Sequence, residues 1–95
     1  MSIELHTKPL IATGDTSPAA LATAVTRNQR EQPETIIDAI GPAAVNVAVK
    51  AVVLARKYVK VDGFDLTMTP DFITIPNRDR PGELTGLRFV ITRVG

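Results

Sequence analysis

Apolar and polar residues alternate from the start of the chain, with Ile3, Leu5 and Thr7 set against Glu4, His6 and Lys8. A period of two predicts a half-buried strand over residues 3–12, and Pro9 marks an edge position or a break in it. Gly14, Asp15, Thr16 and Ser17 then form a turn. Ser17 suits an N-cap, and Pro18 suits the first helical position, where its missing N–H would be unpaired anyway. Ala20, Leu21, Ala24 and Val25 recur at helical spacing and predict a helix over residues 18–30. Arg27 and Arg30 fall near its C-terminus, where the dipole favours cations. Pro33 closes the helix, and residues 35–40 (TIIDAI) read as a second strand.

Gly41 and Pro42 supply an N-cap and a first position for a second helix over residues 42–59. Phe64, Leu66 and Met68 alternate with Asp65, Thr67 and Thr69, which predicts a third strand over residues 64–75. Pro70 and Asp71 are expected to break or bulge it. Residues 76–86 (PNRDRPGELTG) read as a loop. Leu87, Phe89 and Ile91 alternate with Arg88, Val90 and Thr92 in a last strand over residues 87–94. The predicted order is β-α-β-α-β-β, an α/β (α+β) two-layer sandwich of two helices on one face of a four-stranded mixed sheet.

The second helix is apolar on more than one side. Asn46, Lys50 and Lys57 fall within about 40° of one another, with Lys60 about 40° to the other side of Asn46 and Arg56 about 80° away. The remaining faces carry valine, alanine and leucine. A helix that buries one face needs an apolar stripe little wider than about 100°. The excess predicts a second burial surface, and contact with another subunit is its simplest source.

Composition narrows the field. At 95 residues and 44% hydrophobic content, the chain is one domain over residues 1–95 with enough apolar surface for a core. It has no cysteine and a single histidine, which leaves no thiolate metal site, disulfide framework or nucleophile–histidine pair. No metal or cofactor is expected. No signal peptide is expected in MSIELHTKPL, and the longest apolar run is far too short to cross a membrane. A cytoplasmic location follows as an expectation. The aspartates are scattered over turns and strand starts, where local hydrogen bonding accounts for them, so an enzyme is not expected. Net charge is only +1, so any basic footprint must come from local arrangement. The few aromatic residues suggest no platform for stacking bases.

The stretch AIGPAAVNVAVKAVVLARKYV resembles the strand–turn–helix motif of the bacterial stage V sporulation protein S family. SPAALATAVTR resembles that family's first helix, and GFDLTMTPDFITI resembles its third strand, mid-strand proline included. The family is similar in fold to Alba, a small dimeric chromatin and RNA-binding protein. The resemblance therefore implies an Alba-like fold, a homodimer or larger homo-oligomer, a link to sporulation, and binding of nucleic acid, either DNA or RNA. Where Alba proteins carry basic residues at the turn into the second helix, this chain has Gly41-Pro42-Ala43.

Three places are candidates for function. Lys50, Arg56, Lys57 and Lys60 on the second helix are candidate phosphate contacts, or else the solvated face of a core helix. Arg78 and Arg80 at the hairpin tip are candidates for a minor groove, or else loop residues offset by Asp79 and Glu83. Gly14, Thr16, Ser17 and Gly41 could make an anion-binding turn at the helix N-termini, or else serve only as caps and turns. Arg88 and Arg93 differ by an odd number of residues and cannot share a face of one strand. The reading is a nucleic-acid-binding regulatory protein with phosphate contacts and weak sequence specificity. The alternatives are a homo-oligomeric assembly protein without nucleic acid, and a phosphate-metabolite binder at the two turns.

Overall fold

In the computed structural model, residues 8–77, 79 and 81–95 are described. The order is β1 (Leu10–Ala12), α1 (Pro18–Glu31), β2 (Glu34–Ala39), α2 (Pro42–Val59), a 3-10 turn (Lys60–Asp62), β3 (Asp65–Pro76) and β4 (Glu83–Val94). The strands form one sheet in the order β1-β2-β4-β3. β1 runs parallel to β2, and the other two pairings are antiparallel. The β1-α1-β2 crossover lays α1 on one face of the sheet, and α2 packs beside it.

Local chemistry explains the helix starts. Ser17 is the N-cap of α1 and its hydroxyl accepts the Ala20 N–H at 3.2 Å, with Pro18 at the first helical position. Gly41 caps α2 at φ 91° and ψ 158°, a conformation that is essentially reserved for glycine. Gly63, at φ 87°, ends the 3-10 turn and donates its N–H to the Lys60 carbonyl.

Register decides which residues meet the helices. Thr35, Ile37 and Ala39 pair with Ile91, Phe89 and Leu87, and this row points into the core. Against it α2 sets Ala44, Ala48, Ala51 and Ala55, whose small side chains let the helix sit close to both the sheet and α1. The core also holds a polar clamp. Gln29 of α1 is fully buried, and its Nε2 donates to Thr35 Oγ1 at 2.8 Å and to the Ile91 carbonyl at 3.0 Å. Its backbone carbonyl accepts from Arg93 Nη2. Gln29 Oε1 has no partner among the described residues.

Several sequence expectations change. The alternating residues 3–7, His6 among them, lie outside the described residues, and β1 begins only after Pro9. Neither break nor bulge interrupts β3, because Pro70 pairs opposite Phe89 and Asp71 opposite Arg88 in an unbroken ladder. As an edge strand, β3 can turn a missing N–H toward solvent at no loss of pairing. The expected loop over residues 76–86 is shorter, since β3 runs through Pro76 and β4 starts at Glu83. The Asn77 N–H bonds to the Gly82 carbonyl at 3.1 Å and closes the hairpin. Arg88 and Arg93 do take opposite faces. Arg93 lies over the Phe64 ring at 4.4 Å, while Arg88 grips the buried Asp38 on the far face with bonds of 2.7 and 2.8 Å. Those bonds hold the Arg88 guanidinium above its ordinary pKa, against the opposing effect of burial.

Candidate nucleic-acid interface

The outer face of α2 carries the polar stripe predicted for it. Asn46, Lys50, Lys57 and Lys60 are all exposed. Lys50, Lys57 and Lys60 have no carboxylate partner among the described residues. Val53, at 49% exposure, interrupts the stripe, and Val49 lies beside it at 38%. Core packing therefore leaves part of the helix's apolar surface uncovered.

Arg56 is differently placed. Its Nε and Nη2 donate to the two carboxylate oxygens of Asp65 at 2.9 and 3.0 Å. Asp65 also accepts the Leu66 N–H at 2.7 Å. The side-chain bonds raise the Arg56 pKa. Asp65 is held well below the usual carboxylate range, first by Arg56, then by the Leu66 N–H, with Lys60 as the smallest influence. A phosphate approaching Arg56 must compete with this bidentate partner.

Sequence reasoning missed the basic residues of α1, which read as a helix end satisfying the dipole. Arg27 and Arg30 are exposed on the same layer as the α2 stripe. Arg30 is paired with Asp62 at 2.9 Å, whereas Arg27 has no such partner among the described residues. The signal was available in the helix assignment itself. α1, α2 and the 3-10 turn hold six basic residues (Arg27, Arg30, Lys50, Arg56, Lys57, Lys60) against Glu31 and Asp62. The four strands hold only Arg88 and Arg93 against Glu34, Asp38, Asp65, Asp71 and Glu83. A nearly neutral chain thus folds into a basic helical layer and an acidic sheet.

The other two candidate places behave differently. Arg78 and Arg80 lie outside the described residues. At the helix N-termini, Gly14 approaches Ala43 so closely that an added Cβ would stand 3.1 Å from the Ala43 Cβ, so the two turns lie together. Their donors and acceptors serve the turn itself. Thr16 Oγ1 accepts the Thr13 N–H at 2.9 Å and lies 3.0 Å from Thr13 Oγ1, and Ser17 is occupied as a cap. Among the described residues no group of His, Cys, Asp or Glu converges to hold a metal, and no helix is long and apolar enough to cross a membrane.

A family model for stage V sporulation protein S matches residues 9–94 of the chain. Among solved structures, Alba from Thermoplasma volcanium superposes with a TM-score of 0.61 at 15% sequence identity, covering 90% of this chain and 100% of that one. Identity at that level speaks for the fold, and the shared arrangement is the β-α-β-α-β-β order with both helices on one face.

Proposed function

The chain belongs to the stage V sporulation protein S family, and from that premise we propose that it binds DNA or RNA through its helical layer, as a regulatory protein with weak sequence specificity. The observation that carries this reading is the segregation of charge, six basic residues against two acidic ones on the layer that faces away from the sheet. Lys50, Lys57 and Lys60 make the phosphate contacts. Arg56, tied to Asp65, shapes the edge of that surface. Arg78 and Arg80 of the hairpin extend the contact surface in this reading. Gly14, Thr16, Ser17 and Gly41 serve as turn and cap residues. Contacts of this kind fix the protein on the backbone without reading base edges.

A salt series tests the reading. The three lysine contacts alone predict a slope of log affinity on log salt of about −2.7 for duplex DNA for each protomer engaged, so raising salt from 50 to 200 mM weakens binding by at least roughly 40-fold. Fluorescence anisotropy on labelled oligonucleotides gives the slope directly. Absence of binding at the lowest salt would sink the proposal.

A second copy of the chain is proposed as the cover for the exposed flank of α2. Val45, Val49 and Val53 succeed one another at helical spacing on that flank. Phe72 of β3, 80% exposed, joins Pro42, Val45 and Leu87 around a shallow depression of about 310 Å³ beside them. The same surface favours the second reading, a homo-oligomeric regulatory assembly without nucleic acid. In a two-fold dimer each residue is buried twice. Burying one Phe contributes about 1.5–3 kcal/mol, so Phe72→Ser weakens a dimer at least about 100-fold. Light scattering should then show the monomer mass at micromolar concentration, with the helical circular dichroism unchanged. A variant that keeps the wild-type mass would place the contact elsewhere.

A further inference from the structure

We infer that the cleft between α1 and α2 is a stacking site for an unpaired nucleobase, and that the protein therefore prefers single-stranded nucleic acid to duplex; the inference rests on the phosphate-binding reading above. The cleft encloses about 370 Å³ and is lined by Thr23, Thr26, Arg27, Arg30, Glu31 and Tyr58. It opens on the basic layer. Its two guanidinium groups outnumber its one carboxylate, and Arg27 has no carboxylate partner among the described residues. Asp62 holds Arg30 at 2.9 Å and so fixes its direction.

Tyr58 is the one tyrosine of the chain, and the only aromatic residue in α1 or α2. Phe64, Phe72 and Phe89 all belong to the sheet layer or its approach. Tyr58, 40% exposed as a residue, shares the cleft with two arginines, and an aromatic ring beside guanidinium groups offers stacking and charge neutralisation in one place. The Tyr58 hydroxyl has no hydrogen-bond partner among the described residues, so it is free for a ligand. The Thr23 and Thr26 hydroxyls donate to the carbonyls of Ala19 at 3.1 Å and Ala22 at 2.8 Å. Aromatic–base stacking with nearby cationic groups is how proteins hold single strands without reading sequence. A duplex keeps its bases in its own stack and cannot fill such a site unless one is unpaired.

Intrinsic fluorescence isolates the site, because the chain has one tyrosine and no tryptophan. Titration with a uridine-rich 12-mer RNA should quench the Tyr58 emission, while a duplex DNA bound at Lys50 and Lys57 should leave it nearly unchanged. In parallel anisotropy measurements, wild type should bind the 12-mer more tightly than a duplex of equal length. Tyr58→Leu should weaken the single strand roughly 5- to 100-fold and shift the duplex less than about twofold, with Tyr58→Phe close to wild type. Arg27→Gln should lower the single-strand salt slope by about 0.7. Single-strand binding with no quenching, or an equal effect of Tyr58→Leu on both ligands, would overturn the stacking site and leave the phosphate reading standing. Failure of wild type to bind either ligand would overturn both. The quenching experiment needs no variant, so a folding defect in Tyr58→Leu cannot mask the answer.

Discussion

If the helical layer binds nucleic acid as proposed, Lys50→Glu combined with Lys57→Glu is expected to lower that affinity by roughly 100- to 1,000-fold at low salt. Two unit charges about 4 Å apart in water interact by about 1 kcal/mol, so turning an attraction into a repulsion swings about 2 kcal/mol at each site. The effect shrinks at physiological ionic strength, where the screening length is about 8 Å. The salt slope should fall by about two, one for each phosphate that a lysine no longer neutralises. Both lysines are exposed and unpaired among the described residues, so their removal leaves the packing untouched. Lys57 also sits in the last turn of α2, where reversal of its charge costs about 0.3–1 kcal/mol of helix stabilisation. Thermal melting of the double variant should therefore move only slightly. Unchanged binding by a correctly assembled variant would remove the α2 stripe from the site.

The largest effect on stability is expected at Gln29. Gln29→Ala removes both donors of the clamp, leaves the Ile91 carbonyl without its side-chain partner and opens a cavity under α1. The two lost buried hydrogen bonds contribute about 1–3 kcal/mol together, and the missing atoms add to it, for a total of about 2–4 kcal/mol. In a domain of this size that lowers the melting temperature by about 10 °C or more. Gln29→Leu fills most of the space and also removes the unpartnered Oε1. It should cost about half as much. Urea denaturation of the two variants separates the contributions. Equal losses would mean that the hydrogen bonds of Gln29, and not its volume, tie α1 to the sheet.

The two helices were legible because their signals are local. Ser17-Pro18 and Gly41-Pro42 mark both starts, and the spacing of alanine and valine carries each helix to its end. The hairpin was less legible. Pro70 looks like a break until β3 is known to be an edge strand. Glu83 to Gly86 have little apolar pattern of their own, and they are strand because they pair with residues 73–76. The site divides along the same line. The α2 stripe follows from helical spacing alone. The Arg56–Asp65 pair joins residues nine apart across a change of element, and only the folded chain brings them together. Arg27 and Tyr58 meet because α1 and α2 pack side by side, a contact that neither helix's own periodicity encodes.

Pro70 has one more consequence. The outer edge of β3 runs for 12 residues, long enough to serve as a template on which further chains could be laid to build a fibre. A proline in the middle of that edge, with another at its end in Pro76, withholds donors that an incoming strand would need. Sheets of neighbouring copies are therefore kept from joining through their β3 edges. Growth by strand addition is blocked at that edge, so crowding of copies favours finite clusters over polymerisation through β3.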